Sequence, residues 1–294
     1  MNCLQKRLRR ELKQPCAIKV YCPAKLNLYL NILGKYQNGF HRIESIVNRI
    51  DLTDILTITY RRSSQITLQC NIKSLENDSN LCVRASELIR KKANLKGGFH
   101  LNLIKHIPHG AGLGGGSSDA ASTLIGINKL LKIGLTQKDL YCLGEKLGSD
   151  VNFFLSQKPF AYLSQRGESV KPFECSFKLD YCLVYPHIPL STQIIYKRAK
   201  VKLTKFLGNA NIIYHALRHK NKKLLEKRLF NALEASAFMS CEQLKKYRKL
   251  LKTLGFTMSG SGSTFFKIVH NSSEYTQLKK HLPKTWKVCR ARGL

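Results

Sequence analysis

Two charged residues sit in settings where they could move a proton and offset charge on a reacting group. These are Lys25, in Pro23-Ala24-Lys25-Leu26-Asn27-Leu28, and Asp150, in Gly148-Ser149-Asp150-Val151. From Leu26 to Ile32 apolar residues alternate with Asn27, Tyr29 and Asn31, which places Lys25, Asn27, Tyr29 and Asn31 on one face of a strand. A lysine and an asparagine two apart at the root of a strand can reach into one cleft. The same alternation describes a solvent-facing polar side, and spacing alone does not separate the two. Asp150 follows a helix-ending glycine and precedes an apolar run, a setting for a carboxylate base and equally for a turn-forming or capping Asp.

Between these two lies the densest glycine cluster of the chain, in Pro108-His109-Gly110-Ala111-Gly112-Leu113-Gly114-Gly115-Gly116-Ser117-Ser118. Five of the nineteen glycines fall between Gly110 and Gly116. A strand-like run over 99–107 precedes the cluster, and helical spacing through Ala120, Leu124, Ile127 and Leu131 follows it. A loop that permits close backbone approach and opens onto a helix N-terminus suits a phosphate. No Gly-Lys-Ser/Thr closes it as in a Walker loop, and it does not fit the dinucleotide-binding pattern. A second glycine-serine turn, Gly260-Ser261-Gly262, lies between apolar strand-like runs, and its backbone donors suit another anion contact. Phe40-His41 follows an Asn38-Gly39 turn; an aromatic beside a histidine could hold a planar ring by stacking and edge hydrogen bonding, or could simply be exposed.

The elements that must position these groups alternate in type. Strands are expected over 17–22, 25–32, 42–47, 51–60, 65–70 and 181–185, with Pro23 interrupting the ladder after the first. A helix is expected over 80–93, and Thr136-x-x-Asp139 resembles a capping box for a helix to Leu147. A hairpin over 160–170, helices over 191–199, 212–229 and 233–254, a strand-turn-strand over 256–269, and a last helix and strand complete an α+β pattern.

Fifty Lys and Arg against eighteen Asp and Glu give a net charge of +32, which attracts polyanions and keeps nucleic-acid binding as a rival function. The basic residues are spread over most of the chain. Their denser clusters, near 6–10, 197–205 and 218–228, lack interleaved aromatics, which favours a surface bias that also suits phosphorylated small molecules. Ten cysteines occur without a C-x2-C pair, so neither zinc nor a disulfide framework is indicated, and a reducing cytoplasm is expected. No apolar run approaches the roughly eighteen residues needed to span a bilayer. Residues 1–14 read as a basic tail or as part of a transit peptide, and they are too short and too poor in serine to support targeting strongly.

Three segments in fixed order, Pro23-Ala24-Lys25-x-Asn27, the loop from Gly112 to Ser118, and Gly260-Ser261-Gly262, resemble the three motifs of the GHMP kinases, the superfamily of galactokinase, homoserine kinase and mevalonate kinase. Within it, Gly39-Phe40-His41, Leu113-Gly114-Gly115-Gly116-Ser117-Ser118-Asp119-Ala120-Ala121 and Gly148-Ser149-Asp150-Val151 are similar to the branch acting on a cytidine diphosphate alcohol in non-mevalonate isoprenoid synthesis. The resemblance implies an α+β fold of two domains. An ATP-binding domain over 1–170 would resemble the ribosomal protein S5 domain 2 fold, a ferredoxin-like substrate domain would cover 171–294, and the active site would lie in the cleft between them.

The resemblance implies transfer of the ATP γ-phosphoryl group to an alcohol, with Mg²⁺ in attendance. It makes Asp150 the base and Lys25 its partner, Asn27 a substrate contact, and Phe40 with His41 the receiver of a cytosine ring. Residues 108–118 would bind ATP, with Ser117 and Ser118 where the loop meets phosphate and metal. Tyr185 and Pro186 through Thr192 would complete the cytidine pocket. The family often has Tyr at the place of Phe40, Ala at that of Ser149 and Pro at that of Asn152. A homoserine- or phosphomevalonate-type kinase is the nearest rival; no membrane partner is expected, and monomer and homodimer both remain open.

Overall fold

The computed structural model describes residues 16–199 and 210–294. The basic stretch over 1–14 and the part of the 197–205 cluster beyond 199 lie outside the described residues.

In chain order the elements used below are strands β1 (Ala17–Lys35), β2 (His41–Arg61) and β3 (Ile66–Cys70), helix α1 (Leu81–Lys92) and strand β4 (Gly98–Ile104). Helices α2 (Gly115–Leu130), α3 (Gln137–Gly144) and α4 (Val151–Leu155) follow, then strands β5 (Phe160–Gln165), β6 (Ser169–Phe173) and β7 (Asp180–Tyr185). Helices α5 (Thr192–Arg198), α6 (Ala210–Arg218) and α7 (Lys222–Arg228) precede the short β8 (Phe230–Asn231). Helices α8 (Glu234–Ser240), α9 (Glu242–Lys246) and α10 (Arg248–Thr253), strands β9 (Thr257–Met258) and β10 (Phe265–Val269), helix α11 (Ser272–His281) and strand β11 (Lys287–Arg292) complete the described chain.

Pro23 does not end a strand: β1 runs unbroken through it. Proline removes a ladder donor only where that donor has a ladder partner. The N–H groups two and four residues on, at Lys25 and Asn27, go to Leu113 O at 3.0 Å and Ser259 Oγ at 3.3 Å, not to a neighbouring strand. Pairing with β8 begins only at Tyr29, opposite Phe230. By strand alternation the Pro23 position faces the same unladdered edge, so the missing donor costs no sheet bond. The two strands expected over 42–60 are likewise one, β2, since Asn48, Arg49 and Ile50 carry no breaker.

The chain forms two compact units. The first comprises residues up to Pro23, Thr53–Ile107 and Gly115–Gln157. There the second half of β2 pairs antiparallel with β4, Ile58 opposite Leu101, and β3 pairs parallel with β4, Leu68 opposite Leu101. A parallel pair needs a crossover, and α1 supplies it. Helices α1 and α4 pack on α2, and Ile58, Phe99, Leu101, Leu124, Ile127 and Phe153 are fully buried. The expected capping box opens α3: Thr136 Oγ1 accepts from the Asp139 N–H and Asp139 reaches back to the Thr136 N–H.

The second unit comprises Ala24–Leu52, Pro108–Gly114 and Lys158–Leu294. The first half of β2 pairs with β5, and β5 with β6 in the expected hairpin. A separate antiparallel sheet has the order β11-β7-β10-β9, which in chain order is the 4-1-3-2 arrangement of a βαββαβ, ferredoxin-like unit. Val184, Leu233, Phe238, Leu251, Phe265 and Trp286 belong to its core. The long helices expected over 212–229 and 233–254 are each interrupted. Lys220 adopts φ +53° and Asn221 caps a new helix through the Leu224 N–H at 3.0 Å, while Cys241 is extended at φ −142°. At Asn221 a local cap overrides a continuous apolar period. Among the described residues no helix is long and apolar enough to cross a membrane.

Asn80 caps α1 by accepting the Cys82 N–H at 2.9 Å. Asn80→Ala should cost about 1 kcal/mol through the lost cap, read as a midpoint lowered by a few °C in thermal denaturation.

Candidate active site

In the second unit the three glycine- and lysine-bearing segments converge on the unladdered edge of β1. Its N–H groups take the Leu113 carbonyl and the Ser259 hydroxyl, and Ser259 Oγ in turn donates to Gly112 O at 3.1 Å. Thr264 N–H donates to Ala111 O at 3.1 Å and Leu190 N–H to Gly110 O at 2.9 Å. The loop over 110–113 is therefore held carbonyl by carbonyl. Gly112 requires its φ of +74°, and a Cβ there would stand 2.1 Å from Ser259 O. Gly260, at φ +55°, would place a Cβ 2.7 Å from Gly112 O and 3.2 Å from Lys25 Nζ. Only glycine lets the two turns and the lysine approach this closely.

Lys25 is 4% exposed, and its Nζ donates to Asn27 Oδ1 at 2.5 Å. Asn27 Nδ2 donates to Ser45 Oγ at 2.9 Å, and Ser45 Oγ donates to Tyr29 O, so the amide is oriented with its oxygen toward the ammonium. The two residues share a face as the alternation predicts, and the solvent-facing alternative is excluded by their burial. Thr192, the first residue of α5, bonds Ser261 Oγ at 2.9 Å and so joins the Gly260-Ser261-Gly262 turn. One residue here carried no signal in the sequence: Asn231 Nδ2 donates to Met258 O at 2.7 Å and Gly260 O at 2.8 Å, holding that turn.

The same unit holds the ring-binding candidates. The Asn38-Gly39 turn closes with Gly39 N–H to Tyr36 O at 3.0 Å and Tyr36 N–H to Phe40 O at 2.8 Å. Phe40 is 54% exposed, with the Arg166 guanidinium 5.0 Å from its ring centroid. His41 is buried, and its ring lies 5.6 Å from that of Tyr196 on α5. Tyr196 is a further aromatic that the sequence reading did not single out; it lies one helical turn beyond Thr192. Burial, helped by Lys35, lowers the His41 pKa below the usual imidazole value. The ring is thus neutral at pH 7, with one donor and one acceptor nitrogen. Tyr185 ends β7 with its ring 5.1 Å from His187, and it lines a small cavity with Pro108, Leu113 and Thr264; Pro186 is buried beside it.

The first unit holds Asp150 and the helix that ends the glycine cluster. The first turn of α2 contains Gly115, Gly116, Ser117 and Ser118, and its N–H groups have no partner within the helix. The backbone at Gly148 lies beside it: a Cβ there would be 3.9 Å from Ser117 Oγ. Asp150 occupies the N-cap position of α4 yet makes no side-chain capping bond, which removes the capping alternative. His109 is exposed. Among the described residues no group of three or more His, Cys, Asp or Glu is placed to hold a metal. Ser118 Oγ is buried without a hydrogen-bond partner, a hydroxyl suited to one position of a Mg²⁺ that keeps its other ligands from water and phosphate.

A buried ion cluster in the first unit also escaped the sequence reading. Lys105 Nζ donates to both Asp54 Oδ2 and Asp119 Oδ2, the latter at 2.6 Å. Burial first, and Asp54 second, push the Asp119 carboxyl up to about 7 against the pull of Lys105. The two carboxylates raise the Lys105 pKa in spite of its burial.

Comparison with known proteins bears on the family and the fold. Residues 80–158 match the model of the GHMP kinases N terminal domain, and residues 213–288 that of the GHMP kinases C terminal domain. The chain is 35% identical to the 4-diphosphocytidyl-2-C-methyl-D-erythritol kinase of Bacillus mycoides, covering 86% of this chain and 89% of that one. It is 38% identical to the enzyme of the same name from Protochlamydia amoebophila over 85% of this chain and 84% of that one. A crystal structure of 4-(cytidine 5'-diphospho)-2C-methyl-D-erythritol kinase superposes with a TM-score of 0.77 at 29% identity, covering 94% of this chain and all of that one. With both GHMP kinase domains matched and relatives of one name at this identity and coverage, the chain belongs to the 4-diphosphocytidyl-2-C-methyl-D-erythritol kinase family of GHMP kinases.

Proposed function

We propose that this chain transfers the γ-phosphoryl group of ATP to the 2-hydroxyl of 4-diphosphocytidyl-2-C-methyl-D-erythritol, with Asp150 as general base and Lys25 as its electrostatic partner. The observation that carries the reading is the convergence on one edge of β1: the Lys25 ammonium, oriented by Asn27, lies against the Gly260 turn and the glycine loop. An ammonium placed against these two turns can offset the charge that develops on the phosphoryl oxygens.

In this reading the Asp150 carboxylate takes the hydroxyl proton, the alcohol oxygen bonds to the γ-phosphorus, and the bond from that phosphorus to the β-phosphate bridging oxygen breaks to release ADP. The loop over 108–114 and the first turn of α2, including Gly115, Gly116, Ser117 and Ser118, offer backbone N–H groups to the triphosphate, aided by the dipole of a 16-residue helix. Mg²⁺ bound with the nucleotide would neutralise phosphate charge, and Ser118 is the hydroxyl this chain would bring to it.

Phe40, His41 and Tyr196 support a cytosine subsite. The exposed Phe40 ring offers a stacking face, and a neutral imidazole can both donate to and accept from a pyrimidine edge. Tyr185 lines the cavity, Pro186 follows it in the chain, and Thr192 bonds Ser261 of the Gly260-Ser261-Gly262 turn, a turn that suits the diphosphate end of the same substrate. The nine cysteines among the described residues are all free thiols, in keeping with a cytoplasmic enzyme.

In steady-state assays Asp150→Asn should lower kcat by roughly 100-fold or more, with the KM for ATP little changed. Turnover near that of the unaltered protein would remove Asp150 as the base. His41→Ala should raise the KM for the cytidine substrate by about tenfold, the scale of a lost buried hydrogen bond, without affecting that for ATP. Because burial lowers the His41 pKa, the midpoint of its protonation lies below that of an ordinary imidazole, and any rise of the substrate KM on acidification that His41 causes should have its midpoint below 6.5. Faster turnover of homoserine or phosphomevalonate than of the cytidine substrate would overturn the substrate assignment.

A further inference from the structure

Three buried charges of the first unit have no part in the transfer chemistry just described. The side chains of Asp54, Lys105 and Asp119 are 0%, 4% and 4% exposed. Asp54 Oδ1 accepts the N–H groups of His106 at 2.6 Å and Ile107 at 2.8 Å, the two residues that lead into the glycine loop. Its other oxygen receives Lys105 Nζ, which also donates to Asp119 on the second turn of α2. The Lys105 backbone is itself clamped by Asn71, whose Nδ2 donates to Lys105 O at 3.1 Å and whose Oδ1 accepts the Lys105 N–H at 2.8 Å. At the far end of the loop, a Cβ on Gly115 would stand 3.1 Å from Lys105 Nζ and 3.0 Å from Ile107 Cγ2.

This arrangement is a poor one for stability alone. Ion clusters removed from water are often no better than apolar side chains of the same size, and an ammonium against the first residue of a helix opposes the helix dipole. The cluster supplies what apolar packing lacks, which is direction. Each carboxylate oxygen that bonds Lys105 or a backbone N–H fixes an angle as well as a distance.

We propose that Asp54, Lys105 and Asp119 are positioning residues for ATP: they fix Ile107 and Gly115, the two points from which residues 108–114 leave and rejoin the first unit, and so hold the α2 donors in the geometry that accepts the triphosphate. The inference rests on the reading of the glycine loop as the ATP site. It makes a distinction that the loop sequence alone does not: ATP affinity depends on a side-chain cluster that never touches the nucleotide, while the affinity for the alcohol substrate does not.

The test is calorimetric titration of the full chain with ATP and Mg²⁺, alongside steady-state kinetics, for three variants. Lys105→Met should raise the Kd and KM for ATP about tenfold, leaving kcat at saturating ATP within about threefold and the KM for the cytidine substrate unchanged. Asp119→Asn keeps an oxygen for the Lys105 ammonium and should stay within about threefold of the unaltered protein in ATP affinity. Should Lys105→Met fail to fold, Lys105→Met combined with Asp119→Leu replaces the buried pair by apolar side chains, and it should fold yet still bind ATP about tenfold more weakly. Unchanged ATP affinity in a folded Lys105→Met or double variant, or an equal loss of affinity for both substrates, overturns the inference and leaves the kinase reading standing. Absence of ATP binding by the unaltered protein overturns both.

Discussion

The N–H groups of Lys25 and Asn27 have no strand beside them, and the structure around the candidate site follows from what they bond instead. A buried backbone donor must find an acceptor. Here the acceptors are the Leu113 carbonyl of the glycine loop and the Ser259 hydroxyl of the second turn. One strand edge thus brings together segments more than eighty and more than two hundred residues away in the chain. Because the edge is used this way, Pro23 is tolerated in mid-strand, Gly112 and Gly260 are confined to glycine by contacts with backbone oxygens, and Lys25 is delivered against both turns.

The charge arrangement has two scales. At the surface a net charge of +32 is spread thinly enough to act as a general attraction for anions. In the interior charge is used sparingly. Lys25 Nζ donates to the amide of Asn27, and Lys105 Nζ donates to the carboxylates of both Asp54 and Asp119. A lysine already matched by two buried carboxylates has little attraction left for a phosphate. Lys105 therefore takes a role in the scaffold, while the approach of Lys25 to the Gly260 turn is what supports our giving it a role at the phosphoryl group.

Much of this was legible in the sequence, and the rest was hidden for identifiable reasons. The period-two alternation after Pro23 placed Lys25 and Asn27 on one face, the Asn38-Gly39 turn and the Thr136 capping box formed as read, and the glycine cluster did open onto a helix. Each of these is a local signal. The continuity of β1 through Pro23 was missed because it depends on which edge lacks a partner, a tertiary fact. The breaks at Lys220 and Cys241 were missed because the apolar period continues across them. Asn231, Tyr196 and the Asp54–Lys105–Asp119 cluster are assembled from positions far apart in the chain, and no spacing in one sequence announces them.

The most direct measurement is the rate of phosphoryl transfer from ATP to the cytidine substrate in a single turnover, followed by ³¹P NMR or rapid quench, for Lys25→Met. If the edge of β1 exists to deliver that ammonium to the phosphoryl group, transfer should slow by about 100-fold or more while ATP still binds. Transfer at the rate of the unaltered protein would contradict the account.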